Sequence, residues 1–254
     1  MFYFCIKITA IIIFIAISFK FLTKIITFNF NIDDYRITNI KKSAILSLII
    51  IGIQLIIITM YIAIIRKYFM DVSSKEAFVQ AIIYLSELVL VLAIVIFSKE
   101  NISSVGITKN NLFKSVIIGI IIGIIYHLLV RNVFKVNKVM NIISVESFNY
   151  FIQFSIVGFV EEVIYRGYLQ TRLISWLGNM KGCFLTSVIF AFSHLPHRLI
   201  VEGLNFTNAL ISCALLIPIS LLFGYITIKT KNVVANSILH TFTDWTETVI
   251  NIIG

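Results

Sequence analysis

The sequence predicts an all-α fold, a polytopic membrane helix bundle of about eight transmembrane helices, and three observations carry that expectation. Apolar residues make up 59% of the 254 residues and charged residues only 13%, about half the charge a water-facing surface of this size carries. Runs of about 20 mainly apolar residues, enough to cross the hydrocarbon core, recur along the chain. Only two prolines occur, so nothing reads as a Pro-rich linker. No polar stretch between the runs is long enough for a soluble domain.

In order, the spans fall near Ile8–Phe28, Ser43–Ile65, Phe78–Phe97 and Leu112–Val130, then near Tyr150–Leu169, Cys183–Leu195, Asn208–Ile228 and Val233–Ile253. The first lacks a small-residue cleavage site and is followed by further apolar segments, so it reads as a retained span rather than a secretory leader. The sixth is short: it is tilted, half-inserted or longer than its apolar part. Polar connectors such as Asn31–Lys42, Lys67–Lys75 and Lys99–Asn111 separate the spans. The connector after the first span holds Lys20, Lys24, Arg36, Lys41 and Lys42. The bias of Lys and Arg towards the cytoplasm then places that loop inside and both termini outside.

The net charge of +9 is spread between apolar runs. That suits anionic lipid head groups and argues against a nucleic-acid partner, which needs a continuous basic face. Cys5, Cys183 and Cys213 lie far apart in apolar surroundings, as free core thiols do. Heavy use of Ile, Lys, Asn and Phe suggests an AT-rich bacterial genome.

Chemistry enters where ionisable groups interrupt apolar helices. In Gly158–Gly167, the acids Glu161 and Glu162 are adjacent. One charge at mid-helix costs about 2.5–3.5 kcal/mol, so the pair needs a partner or a wet cavity. Neighbouring residues point about 100° apart. Glu162 and Arg166, spaced i,i+4, are therefore expected to pair, leaving Glu161 to face a water, a metal ion or a histidine of another helix. His194 follows Phe190 by four residues, and Asp244 follows His240 by four. Asp244 can orient His240 by accepting its second ring N–H. Together Glu161, His194 and His240 form a set that suits a zinc ion with an open position, or a glutamate-activated water aimed at a carbonyl.

Each signal has a plainer explanation alone: a structural ion pair, an interfacial histidine, a helix-packing hydrogen bond. Their joint occurrence is harder to dismiss. Glu161-Glu162-x-x-x-Arg166, Phe190-x-x-x-His194 and His240-x-x-x-Asp244 resemble the EExxxR, FxxxH and Hxxx(N/D) signatures of the CAAX protease and bacteriocin-processing (CPBP, or Abi) family of intramembrane proteases. The likeness runs from about Tyr150 to the C-terminus, and Ser104–Thr108 resembles the family's lead-in to the fourth span. It divides one membrane domain into motif-free helices over 1–140 and catalytic core helices over 141–254.

The resemblance implies an intramembrane endopeptidase acting on a small peptide or a membrane-tethered protein, in bacteriocin immunity or peptide-signal maturation at a bacterial cell membrane. It implies that Glu161 is the general base, that His194 holds the water or a metal ion, and that His240 and Asp244 stabilise the oxyanion. Alternatively, Glu161, His194 and His240 ligate zinc. Glu162 and Arg166 brace the first motif helix, with Phe190 in support. Asp244 stands where the family often has asparagine, and a carboxylate donates only when protonated, so an orienting role suits it better. There is no HExxH, GxSG or GxGD motif, and Ser193 points away from His194 as a helical neighbour.

Glu87, in the middle of the third span, is an intramembrane acid and so a functional suspect, or a protonated acid bonded to a neighbouring helix. His127 beside Arg131 reads as interfacial, His197 and Arg198 as a surface loop, and Tyr165 and Glu247 as lining residues. Two other functions fit the same residues. One is a non-catalytic membrane immunity or peptide-binding protein. The other is a proton-coupled transporter with Glu87, Glu161 and the histidines as relay.

Overall fold

The computed structural model describes residues 2–25, 37, 39–68, 73–109, 111–133 and 144–253, and every regular element among them is helical. Most of the connectors Asn31–Lys42 and Lys67–Lys75, and the Cys5 side chain, fall outside the described residues. The first half consists of α1 (Phe2–Ile25), α2 (Ile40–Tyr68), α3 (Ser73–Phe97), a 3-10 turn (Ile102–Val105) and α4 (Leu112–Val133). The second half begins with α5 (Val145–Glu162), which runs through a π-helical segment (Val163–Gln170) into α6 (Thr171–Leu177). After it come α7 (Asn179–Ser193), α8 (Leu195–Ile200), α9 (Phe206–Ala214), α10 (Ile217–Thr230) and α11 (Val234–Ile253).

Among the described residues, the eight expected spans fall on helix, with three departures from simple rods. The fifth continues past Leu169, through the π segment, to Leu177. The sixth is the longer alternative: α7 and α8 make one span over Asn179–Ile200. His197 and Arg198 are therefore helical rather than in a loop, with Arg198 and His197 both paired to Glu202. The seventh is broken between α9 and α10. The two prolines explain the breaks, because Pro196 and Pro218 each sit in the first turn after one. Proline lacks the N–H that the preceding helix would use and clashes with its carbonyl, but fits a new first turn.

Among the described residues four stretches are long and apolar enough to cross a membrane by length and composition: Ile40–Ile64, Leu112–Arg131, Asn179–Ile200 and Phe206–Thr230. The solvation pattern is inside-out. Glu162, Arg166, Arg172, Asn232, Asn236 and Thr246 are fully buried. Ile49, Ile53, Ile56, Met60 and Ile64 form an exposed stripe on α2, as do Phe113, Ile117, Ile120, Ile124 and Leu128 on α4. Stripes of that size on a water-facing surface would drive aggregation; in lipid they are at no disadvantage. Cys183 and Cys213 are free and buried, as expected.

Helix α11 lies between α4 and α5, held there by small residues. Gly119 and Gly123 on α4 form a GxxxG pair, the spacing that lets membrane helices approach closely. A Cβ at Gly119 would lie 2.7 Å from the Ala235 carbonyl oxygen and 2.9 Å from the Ile238 Cβ. On α5, a Cβ at Gly158 would lie 3.2 Å from the Ser237 carbonyl and 3.3 Å from the His240 Cβ. Position His240 thus depends on backbone proximity. Gly119→Ala is expected to overpack this seam at about 1–3 kcal/mol, read as a lower unfolding midpoint in detergent.

A second buried group anchors α6. Glu100 pairs with Arg172 and accepts from Ser43 Oγ at 3.0 Å, while Arg172 also donates to the Ser104 carbonyl at 3.3 Å and lies 4.1 Å over the Tyr168 ring. The Ser104–Thr108 stretch therefore braces the helix that follows the acidic pair.

Candidate active site

Glu161 and Glu162 close α5, and the next eight residues take π geometry. Such segments are rare and concentrate at functional sites. The two carboxylates diverge as adjacent helical positions must. Glu162 is fully buried, and its Oε2 lies 3.5 Å from Arg166 Nε. Glu161 keeps some exposure, with its side chain 13% accessible.

The Arg166 guanidinium donates to Ser220 Oγ on α10 at 3.1 Å and lies 4.2 Å over Phe190 and 5.4 Å from Phe223. Two aromatic faces and one carboxylate thus take the place of the water that a buried cation loses.

His240 is where α5 and α11 meet. Its Nδ1 lies 3.1 Å from Glu162 Oε1, while its Nε2 has Asp244 Oδ2 at 3.5 Å and Glu161 Oε2 at 3.8 Å. A carboxylate only accepts, so Nδ1 carries a proton towards Glu162. The orienting contact on Nδ1 comes from Glu162; Asp244, one turn along α11, sits beside Nε2 instead. That difference follows from the close approach at Gly158, which brings the end of α5 under the ring. Nε2 is loosely held, since 3.5 Å is the outer edge of a hydrogen bond.

His194 occupies the break between α7 and α8. Its Nδ1 lies 2.9 Å from the Phe190 carbonyl, which can only accept, so in the neutral ring Nε2 holds the lone pair. The Phe190 ring is a shared wall, 5.0 Å from the ring of His194, 5.9 Å from that of His240 and 5.1 Å from that of Tyr165. Ser193 Oγ donates to the Phe190 carbonyl at 2.7 Å and also lies 3.4 Å from His194 Nδ1, so it does not point away from that ring as its position next to it in the helix suggested.

The motif-free half contributes a residue that the sequence reading passed over. Tyr84 on α3 donates its hydroxyl to Glu161 Oε1 at 3.1 Å. The available signal was its spacing, three residues before Glu87 and so on one helical face with it. Glu87 is itself buried. His127, expected at the interface, packs on α11: its Nδ1 lies 2.9 Å from Thr246 Oγ1 and its ring stacks on Trp245 at 4.9 Å. Glu247 accepts from Tyr126 at 3.1 Å.

Residues 144–246 match the family model described as type II CAAX prenyl endopeptidase Rce1-like. That segment of the chain is Rce1-like. The match begins six residues before Tyr150, where the sequence resemblance was placed, and it contains all three motifs. No curated protein and no solved structure matches the chain. Several apolar helices, together with the Rce1-like match over residues 144–246, give a multi-pass membrane protein. A protease family implies a peptide or protein substrate.

Among the described residues no three His, Cys, Asp or Glu side chains are grouped so as to hold a metal ion. An apolar cleft of about 640 Å³ opens nearby between α4, α5 and α11, walled by Ile120, Phe151, Phe159, Ile238 and Phe242.

The loose contact of Asp244 sets its expected weight. Asp244→Asn should lower the cleavage rate about tenfold or less, the scale of one modest hydrogen bond. Initial rates on purified protein check it, and a loss beyond a hundredfold would give Asp244 a larger part.

Proposed function

We propose that this protein is an intramembrane endopeptidase that hydrolyses a peptide bond in a small peptide or a membrane-tethered protein tail, with Glu161 activating the water. The observation that best supports it is the division of labour at Glu161: Oε1 is engaged by Tyr84, while Oε2 faces His240 Nε2 without a hydrogen bond. Glu161 takes a proton from water, and the hydroxide oxygen bonds to the scissile carbonyl carbon. The oxyanion that forms is met by the Nε2–H of a protonated His240, held in place by Glu162 on Nδ1. As the C–N bond breaks, Glu161 returns the proton to the leaving amine. His194, with its Nε2 lone pair, accepts from the same water and orients it.

The substrates of this reading are a bacteriocin, a peptide signal precursor or a lipid-anchored tail at the cell membrane of a bacterium. The test is direct. Protein in proteoliposomes is offered an internally quenched farnesylated CAAX peptide, an unmodified single-span helix and a short hydrophobic leader peptide. One cut at one bond, read by mass spectrometry, is expected in at least one probe. Three intact probes would sink the endopeptidase, and proton-coupled uptake without cleavage would indicate a transporter instead. Exhaustive chelation separates the two mechanisms. The water mechanism survives it, whereas a zinc site loses activity and regains it with added zinc.

A further inference from the structure

We propose that Tyr84 is a positioning residue for Glu161, supplied by α3 from outside the segment that matches the family. A carboxylate has two equivalent oxygens, and the terminal torsion of a glutamate side chain is broad and nearly two-fold. Nothing in Glu161 itself decides which oxygen faces water. The Tyr84 hydroxyl, 3.1 Å from Oε1, removes that freedom, because a phenol donates and a carboxylate accepts. Oε1 is then the held oxygen, and Oε2 is the one left beside His240 at 3.8 Å.

The placement of Tyr84 is itself held. Its ring packs against the core formed by α2, α3 and the π segment. One turn further on, Glu87 is 8% exposed, and its carbonyl accepts from Gln54 Nε2 of α2 at 3.3 Å. The Glu87 carboxyl oxygen Oε1 has no hydrogen-bond partner among the described residues. Without the phenol, the Glu161 carboxylate is free to turn within this acidic corner.

The catalytic part of the proposal rests on Glu161 being the base, but its geometric part does not, and the experiment reads the two separately. Tyr84→Phe keeps the ring and deletes the donor. The first readout needs no substrate: dicyclohexylcarbodiimide is added to wild type and variant in detergent, and adduct formation at Glu161 is followed by peptide mass spectrometry. Freed from the phenol, Oε1 is expected to add to the carbodiimide carbon severalfold faster, giving an O-acylisourea that rearranges to the stable N-acylurea adduct, with the unfolding midpoint unchanged. Equal labelling rates would overturn the positioning role, and equal rates with a lowered midpoint would leave Tyr84 a packing residue only. The second readout uses whichever quenched peptide the wild type cuts. We expect kcat to fall about tenfold at constant KM, as loss of one hydrogen bond to a charged group implies. A change in KM alone would also overturn the proposal. If Glu161→Gln cuts as well as wild type, the base assignment fails by itself and the carbodiimide result still decides Tyr84.

Discussion

Glu161→Gln is expected to lower the cleavage rate by about 10²–10⁴-fold, the range that a positioned general base contributes. The substitution is nearly isosteric, and the amide oxygen can still accept from the Tyr84 hydroxyl that now reaches Oε1 at 3.1 Å. What it removes is the ability of the other oxygen, 3.8 Å from His240 Nε2, to take a proton. The amide N–H₂ that replaces it faces a ring nitrogen that is itself the proposed donor. Fold and substrate affinity should therefore be preserved while chemistry stops. Single-turnover rates on purified protein, with the unfolding midpoint as control, measure both. A variant that keeps more than a tenth of wild-type activity would move water activation to another residue. The asymmetry with Asp244→Asn matters: both variants neutralise an acid beside His240 Nε2, yet only one is expected to be nearly inactive.

How far the site was legible from the residues depends on the range of the forces involved. The Glu162–Arg166 pair was readable because i,i+4 contacts are local, and its 3.5 Å separation survives the change to π geometry, where a fourth residue still falls near the same face. The helical breaks were half-readable. Pro196 and Pro218 punctuate the chain visibly, but that His194 would sit in the first break, with Nδ1 on the Phe190 carbonyl, is a tertiary outcome. Asp244 beside His240 was a local inference, and it lies 3.5 Å from Nε2; that Glu162 would sit on Nδ1 was not legible, because it depends on the non-local approach of α5 to α11 at Gly158. Tyr84 and the Glu100–Arg172 pair lie 77 and 72 residues from their partners, and no helical periodicity links positions so far apart. Apolar patterning located the helices well for a related reason: the requirement to span lipid acts on each segment separately.

Arg166→Ala tests the other half of the mechanism, the claim that a buried ion pair holds the ring of His240. The guanidinium is inaccessible, and so is Glu162. Removing the cation leaves a carboxylate in the core with one imidazole as its remaining partner, and breaking a buried pair from one side costs about 3–5 kcal/mol. The variant should unfold at a markedly lower midpoint and lose nearly all cleavage. Arg166→Lys should rescue little, because an ammonium cannot lie flat on Phe190 at 4.2 Å while also reaching Ser220 and Glu162. Loss of activity through unfolding alone would be uninformative, so the decisive protein is the double variant Glu162→Gln with Arg166→Met. Two neutral side chains of similar volume replace the pair, a change that is often neutral for stability. The glutamine oxygen can still accept from His240 Nδ1, 3.1 Å away in the wild type, but brings no negative charge to favour the protonated ring. Recovered stability with cleavage still reduced a hundredfold or more is the expected outcome. If cleavage returns with stability, the pair is only a brace, and the charge on His240 has no part in the reaction.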